Sequence, residues 1–261
     1  MSIPGSHDAG GAGTGDDDAA AGGPGDDDGH WVRWHRSYED PDSPLSQRLR
    51  LVQTGVTDAL DHRAPGPIQI VSMCAGQGRD VIDVVARHRR RGDVRALLVE
   101  QDPALVRFAR ERAAAAGVPE QVEVVEGDAS LARPYIGTVP ADVVLICGVF
   151  GNISDADIRA TIFTMPSFCA PGGTVIWTRH RRPPDLTPSI LEWFAEAGFA
   201  EQSFSAPAPY VLSVGCHRFV GRPPGPIRGS IPAGASPSPG LIALDPELRL
   251  FTFIGDGSLP A

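Results

Sequence analysis

Residues 68–80 read IQIVSMCAGQGRD, and this stretch decides the fold. Its first part, Ile68–Met73, is a short apolar run that predicts a buried strand. Gly76 and Gly78 follow at once, and Arg79 begins a segment with apolar residues at helical spacing. Glycines between a strand and a helix allow a tight turn and a close approach to a ligand, while the helix N-terminus presents free N–H groups to an anion. The stretch therefore predicts a strand–loop–helix unit with a ligand site where the strand ends.

The rest of the chain repeats this unit. Apolar runs of strand length alternate with amphipathic segments of helix length. Ser43, Asp102 and Ser154 are placed to cap the first, third and fourth of five predicted helices. The alternation predicts a Rossmann-like, doubly wound α/β fold, with a mostly parallel seven-stranded sheet and helices on both faces. The predicted strands are Ile68–Met73, Val94–Val99, Gln121–Val125, Asp142–Cys147, Thr174–Thr178, Gln202–Ser205 and Val211–Phe219.

Two carboxylates follow the second and third predicted strands. Glu100 stands 24 residues after Gly76, and Asp128 follows Gly127. Because ligands of doubly wound sheets lie beyond the carboxyl ends of the strands, both acids belong to the same predicted site as the glycines. A carboxylate in the place of Glu100 can accept both hydroxyls of a ribose, and Asp128 can meet an adenine amino group. The simpler alternative is that the glycines serve only a turn and the acids only the surface.

Five short motifs resemble those of class I S-adenosylmethionine-dependent methyltransferases, within residues 68–220. They are 73–80 (MCAGQGRD), 99–103 (VEQDP), 125–129 (VEGDA), 169–173 (CAPGG) and 192–199 (EWFAEAGF). The resemblance implies S-adenosylmethionine (SAM) as the cofactor and transfer of its methyl group as the activity. The cofactor-binding residues that it implies are Ser72, Cys74, Ala75, Gly76, Gly78, Asp80, Glu100, Gln101, Asp128, Ala129, Cys147 and Gly148.

Two residues depart from the pattern of this family. Ser72 stands where the first strand often carries an acid, and Cys74 replaces the first glycine of the loop. Loss of the acid removes a group that commonly helps to fix the methionine end of the cofactor, so we expect the N-terminal region to hold that end. A dinucleotide-binding fingerprint is disfavoured, because its third glycine would fall at Val81.

The methyl acceptor is expected beside the exits of the fourth and fifth strands. The segment Cys147–Asn152 lacks the Asn/Asp-Pro-Pro-aromatic motif of enzymes that methylate base amino groups, and the chain has no Pro-Cys pair for cytosine-C5 chemistry. We predict catalytic contributions from Asn152, from His180 as a general base and from Arg179 as an anion clamp. The alternative is that His180 and the neighbouring arginines are ordinary solvent-exposed residues.

An aromatic stretch, HWVRWHRSY at residues 30–38, precedes the first predicted helix. In many relatives this region covers the cofactor. We predict a lid over residues 31–62, in which Trp34 and Tyr38 contact the substrate or attract the sulfonium by cation–π interaction. The alternative is that these rings only dock the N-terminal arm onto the core.

The charge of the chain is concentrated near its N-terminus. The 261 residues hold 32 acids against 23 basic residues, all of them arginine, for a net charge of −9. The first thirty residues contain seven aspartates and no arginine, which leaves −2 for residues 31–261. A body without surplus positive charge disfavours nucleic acid as a partner. Residues 1–30 also lack large apolar side chains and are predicted to be a disordered acidic tail.

Targeting and metal-binding signals are missing from the sequence. No apolar stretch has the length of a transmembrane helix, no signal peptide is recognisable, and the four cysteines stand far apart. We therefore expect a cytoplasmic protein with reduced thiols, no metal site and no membrane association. Residues 31–220 are predicted to form the SAM-binding domain, and residues 221–261 a Pro/Gly-rich extension that ends in the apolar run Leu248–Ile254.

Together these features predict a methyltransferase for an unidentified small-molecule acceptor, as a monomer or homodimer. Two alternatives stay open. One is a SAM-binding protein without catalysis that serves a regulatory or partner-binding role, and the other is an RNA methyltransferase.

Overall fold

The computed structural model describes residue 38, residues 40–222 and residues 244–254. The predicted tail (1–30), Trp34 and most of the predicted extension lie outside these residues. Within them, five α-helices alternate with seven strands. The helices are α1 (Pro44–His62), α2 (Arg79–Arg87), α3 (Pro103–Ala115), α4 (Asp155–Phe168) and α5 (Thr187–Glu196). The strands are β1 (Ile68–Met73), β2 (Val94–Glu100), β3 (Val122–Glu126), β4 (Ala141–Ile146), β5 (Cys169–His180), β6 (Phe199–Ser205) and β7 (Leu212–Phe219).

The strands form one sheet in the order β3-β2-β1-β4-β5-β7-β6. The first five are parallel, and β7 runs antiparallel to both β5 and β6. The predicted seven-stranded, mostly parallel sheet is therefore confirmed. The strand order reverses direction between β1 and β4, and a crevice at such a point is where doubly wound folds bind ligands.

The start of β5 differs from the prediction. The sequence predicts a fifth strand that begins at Thr174, but the observed strand already begins at Cys169. Cys169 pairs with Ala141, and the register shifts before Val143 pairs with Thr174. The Pro-Gly-Gly segment is thus an irregular part of the strand, because the shift lets it follow the edge of β4.

Three predicted N-caps hold their helices as expected. The side chains of Ser43, Asp102 and Ser154 accept hydrogen bonds from first-turn backbone N–H groups of α1, α3 and α4, at 3.1, 2.7 and 3.1 Å. Proline follows the cap directly in α1 and α3, where its missing N–H costs no hydrogen bond. Short-range chemistry therefore fixes where these helices begin.

Helix α1 belongs to the core, which covers both faces of the sheet. Val52, Val56 and Leu60 are buried in one of the two apolar clusters. A Cβ built on Gly55 would lie 2.7 Å from the Cys216 sulfur, so the helix backbone approaches the sheet closely. Much of the predicted lid (31–62) is therefore a fixed part of the body, because α1 buries an apolar face that a mobile lid would expose.

Residues 244–254, which we call the C-terminal strap, pack onto the body well beyond the predicted domain boundary at residue 220. Leu250 and Phe251 are buried, and the strap hydrogen-bonds to the loops after β3 and β4 and to α4. The bonds run from Ala132 N–H to Leu248 O (2.9 Å), from Leu250 N–H to Ser130 O (2.7 Å), from Thr161 Oγ1–H to Leu250 O (2.9 Å) and from Ile254 N–H to Asn152 O (2.8 Å).

All four cysteines are free thiols. Among the described residues, no helix has both the length and the apolar character that crossing a membrane requires.

Candidate active site

The loop between β1 and α2 is built on three left-handed residues. Cys74, Gly76 and Gly78 have φ values of 52°, 56° and 65°. Cys74 is the one non-glycine residue with positive φ in the described part of the chain. An L side chain in this conformation costs about 1 kcal/mol. Cys74 therefore adopts the backbone geometry of the glycine that it replaces.

The two glycines of this loop are needed for different reasons. A Cβ on Gly78 would come within 2.7 Å of side-chain atoms of both Ile82 and Leu98, so the position is closed by packing as well as by φ. A Cβ on Gly76 would meet no atom of the described residues within 4 Å. Gly76 thus borders open space, and a ligand can approach its backbone there.

The Glu100 carboxylate ties this loop to the end of β2. Its Oε2 accepts from Gly76 N–H at 2.8 Å, and its Oε1 accepts from the N–H groups of Gln101 and Asp102 at 2.9 and 3.0 Å. Burial raises the pKa of this carboxyl, and the backbone N–H groups partly oppose the rise. Two carboxylate oxygens have about four acceptor positions, of which three are occupied. One position on Oε2 is left for a ribose hydroxyl, where the sequence suggested two contacts.

Asp128 contacts two neighbouring side chains, although its own side chain is 39% exposed. Its Oδ1 accepts from the N–H and Oγ–H of Ser130 at 2.9 and 2.6 Å. Its Oδ2 lies 3.4 Å from Arg249 of the C-terminal strap. A contact with an adenine amino group would have to share Oδ2 with this arginine.

A small cavity joins the ends of β1, β2 and β3. It is lined by Cys74, Glu100, Gln101, Ala129 and Phe253. Its volume of about 10 Å³ admits at most one water molecule. Four of these five residues were predicted to bind the cofactor, and the structure brings them together.

A larger cavity of about 470 Å³ opens at the opposite edge of the sheet. It lies between the end of α1, the start of β5 and the end of β7, where Arg63, Thr174 and Arg218 line it. None of the predicted site residues lines this groove. Its position at the amino end of β5 separates it from the strand ends that carry the predicted chemistry.

A charged cluster stands beside the glycine loop at the first turn of α2. Burial raises the Asp80 pKa from 3.8 to about 6, and the positive charge of Arg48 partly opposes this rise. Tyr38 shares a hydrogen bond with Arg48, and burial raises the pKa of its hydroxyl. The guanidinium of Arg79 lies 4.8 Å from the centre of the Tyr38 ring. Tyr38 therefore sits over the start of α2, and its role in a lid stays a prediction.

On the acceptor side, hydrogen bonds hold the loop that follows β4. Gly148 N–H donates to Thr178 Oγ1 at 2.9 Å, and Asn152 Nδ2 donates to Gly148 O at 2.6 Å. Asn152 is buried, so its side chain shapes this loop, whereas the sequence suggested a catalytic contact. Burial raises the Cys147 pKa well above its ordinary value, which keeps that thiol protonated.

Arg179 and His180 end β5 next to this loop. The Arg179 side chain is 10% exposed, donates to Phe150 O and lies 3.9 Å from Asp155. An anion clamp needs a guanidinium that a ligand can reach. The Arg179 guanidinium is instead used to connect β5 to the loop after β4 and to the start of α4.

The ring of His180 is hydrogen-bonded at one of its two nitrogens. Its Nδ1 accepts from Arg182 N–H at 3.3 Å, which places the proton of a neutral ring on Nε2. Its ring lies 3.6 Å from a Cβ built on Gly151, and burial lowers its pKa. A neutral His180 therefore has its Nδ1 lone pair occupied and its proton on Nε2, and its role as a general base stays a prediction.

Ser72, which was predicted to bind the cofactor, is 1% exposed within β1.

Three residues near the site were not predicted from the sequence. The sequence places Arg249 and Phe253 in the apolar run Leu248–Ile254 but carries no signal of their role in the site, because no local pattern says which loop a distant segment will cover. Arg48 has no sequence signal of its own, because the apolar pattern of α1 indicates only which residues face the core. In the part of the chain that the structure describes, no group of three His, Cys, Asp or Glu side chains could hold a metal ion.

Known proteins resemble the chain in sequence motif and in fold. A family model described as a methyltransferase domain matches residues 70–173, and no curated protein sequence matches the chain. Geranyl diphosphate methyltransferase with geranyl diphosphate and sinefungin has a TM-score of 0.52 at 13% identity, covering 67% of this chain and 79% of that one. With SAM, the same enzyme gives 0.50 at 14% identity, covering 71% and 95%.

A candidate O-methyltransferase from Nostoc punctiforme has a TM-score of 0.51 at 15% identity over 68% of this chain. The match spans 58% of the length of the Nostoc protein. At identities this low, the structural matches show a shared fold and nothing further.

Proposed function

We propose that the chain transfers the methyl group of SAM to a small-molecule acceptor, starting from the match of residues 70–173 to a family model described as a methyltransferase domain. The observation that carries the proposal is the glycine loop beside Glu100. Gly76 combines a left-handed backbone, a hydrogen bond to Oε2 and open space at its Cβ position. A loop of this kind lets a nucleoside approach the backbone while its ribose meets a carboxylate.

The residues present fit the nucleoside part of SAM. Glu100 keeps one acceptor position on Oε2 for a ribose hydroxyl, and Ala129 supplies an apolar contact where β3 ends. The cavity between these residues must widen for a nucleoside to enter, since it now admits one water molecule. In this role the glycine loop and Glu100 bind the ribose, and the end of β3 contacts the adenine.

The charged cluster fits the amino-acid end of SAM and compensates for the acid that Ser72 replaces. An ionised Asp80 would pair with the α-ammonium group, and Arg48 with the carboxylate. Both side chains stand next to the glycine loop, one on α2 and one on α1. This assignment makes the N-terminal region the holder of the methionine end, as the sequence suggested.

When bound, SAM supplies a methyl group on a sulfonium, which is already a good leaving group. The main task of the chain is then to align the acceptor with that methyl group, which contributes up to about 7–11 kcal/mol to catalysis. We assign this alignment to the loop after β4 and to His180, whose Nε2–H can hold an acceptor oxygen. The near-neutral body favours a small molecule over RNA as the acceptor.

A matched pair of glycine variants tests the cofactor site. Gly76→Ala and Gly117→Ala both place an L side chain at positive φ, 56° and 70°, and neither Cβ meets a described atom within 4 Å. Both variants should therefore lose about 1 kcal/mol of stability. Only Gly76→Ala should weaken binding of S-adenosylhomocysteine (SAH), because its methyl group enters the space given to the nucleoside.

The measurement is titration calorimetry with SAH on the full chain, with urea unfolding as the stability control. Wild-type protein that binds no SAH would refute the proposed function. Equal SAH affinity of the two alanine variants would mean that the nucleoside does not bind beside Gly76. Transfer of labelled methyl groups from SAM to a panel of small molecules then separates a catalyst from a protein that only binds SAM.

A further inference from the structure

The strap brings an aromatic side chain to the cavity at the ends of β1, β2 and β3. Phe253 lies more than 100 residues after the other lining residues, which include Cys74, Glu100 and Ala129. Its ring is half-buried and lies 5.4 Å from that of Phe251, with 76° between the planes. Nothing in the proposed function so far has used this side chain.

The backbone on both sides of Phe253 is fixed. Before it, Leu250 and Phe251 are 3% and 1% exposed, and Leu250 N–H donates to Ser130 O at 2.7 Å. After it, Ile254 N–H donates to Asn152 O at 2.8 Å, and Phe253 itself bridges to Ile153. A segment held at both ends in this way carries its central side chain to a defined place, so that rotation of the ring can change the cavity without release of the strap.

A second residue of the strap ties it to the loop after β3. Arg249 Nη1 donates to Ser130 Oγ at 2.6 Å and lies 3.4 Å from Asp128 Oδ2. The strap therefore contacts the carboxylate that was predicted to meet a purine amino group, and it also brings the ring of Phe253 to the cavity.

We propose that Phe253 is a wall of the nucleoside-binding part of the site and stacks on the purine of the bound ligand. This inference rests on the proposed function. Since the present cavity has room for about one water molecule, the ring must swing outward as the nucleoside enters and then cover it. Stacking on a flat aromatic face suits a purine, whereas the methionine end has no comparable surface. The C-terminal strap is thus part of the cofactor site.

The test compares Phe253→Ala with wild type for three ligands. SAH and adenosine should each bind about tenfold more weakly to the variant, because one base–aromatic stack is lost. Methionine should show the same affinity for the variant as for wild type, since the proposed contact involves the purine alone. Phe253→Trp should restore SAH binding, and SAH should quench the fluorescence of the new indole.

Phe163→Ala is the matched control. Phe163 lies on α4, is 40% exposed and contacts Arg159 at the surface, so its loss removes a ring without touching the cavity. Thermal unfolding checks that both alanine variants remain folded, and Phe253→Leu keeps apolar bulk without the ring.

Four results decide the matter. Weaker SAH and adenosine binding in both Phe253→Ala and Phe253→Leu supports the proposal. Unchanged affinity in Phe253→Ala overturns it, and tighter affinity does so too, because it would mean that the ring obstructs the nucleoside. In either of these two cases the proposed function stands as long as wild-type protein binds SAH. Wild-type protein without affinity for SAH overturns both.

Discussion

Asp80→Asn should stabilise the folded chain at neutral pH. The carboxyl lies in the first turn of α2, and burial raises its pKa from 3.8 to about 6, against opposing contributions from Val81 N–H and Arg48. A carboxyl with a raised pKa favours folding fully below its unfolded pKa, and this contribution is lost as the pH rises through its folded pKa. Above pH 6 the ionised group should therefore cost the fold about 3 kcal/mol relative to its protonated form.

Asparagine removes this cost but also removes a negative charge at the N-terminus of α2. The pKa of about 6 already includes the favourable interaction of that charge with the helix N-terminus, so the net gain should be about 3 kcal/mol at pH 8. The gain should shrink through the interval from pH 6 to pH 4 and be absent below it. Urea unfolding of both proteins at pH 4, 5, 6, 7 and 8 measures this difference. A difference that does not grow with pH, or a less stable Asp80→Asn at pH 8, would refute the reasoning.

The same substitution should weaken SAH binding, because the proposed partner of the α-ammonium group is the ionised form of Asp80. In wild type, SAH affinity should fall as the pH drops below about 6, and Asp80→Asn should flatten that dependence. Calorimetric titrations across this range give the profile. Opposite effects on stability and binding would be typical of a site residue that is strained for function.

Three further predictions follow from other residues. Gly78→Ala should cost about 2–4 kcal/mol in urea unfolding, because its Cβ meets two side chains at 2.7 Å and its φ is positive, whereas Gly117→Ala should cost about 1 kcal/mol. His217 is buried and accepts a hydrogen bond from Trp177, and burial lowers its pKa to about 4. Its contribution to stability should be lost as the pH falls from 6.5 towards 4, by about 3 kcal/mol, and His217→Gln should flatten this part of the stability profile. Once an acceptor is found, His180→Gln should retain more methyl-transfer activity than His180→Ala, since glutamine keeps a hydrogen-bond donor. Equal loss of activity in both variants would instead support His180 as a general base.

The His217 effect does not disturb the Asp80 experiment. The two residues act in opposite directions over the same pH interval, since the pKa of one is lowered and that of the other is raised. Because both wild type and Asp80→Asn contain His217, its contribution cancels in the difference between them, provided that the two sites are independent.

The glycine loop illustrates how far local sequence can be read. A strand followed by glycines and a helix indicates a turn with left-handed residues, and Gly76 and Gly78 have that geometry. The prediction that Glu100 stands beside the loop also holds, because parallel strands of similar length end at one edge of the sheet. The number of ribose contacts could not be predicted, since it depends on which N–H groups reach the carboxylate first.

By itself the sequence determined the alternation of strands and helices, the three N-caps, the end of β1 and, to within one residue, the ends of β2 and β3. All of these follow from interactions within a few residues: periodic burial, capping oxygens and the conformations open to glycine. The tertiary structure alone decided that Arg249 lies beside Asp128, that Arg179 donates a hydrogen bond to Phe150 O and that Phe253 lines the cavity. These contacts join segments that are about 30 to 180 residues apart, and a buried polar group accepts whichever donor the packing brings to it. The site is therefore anticipated by local patterns at its strand ends and completed by a strap that only the folded chain positions.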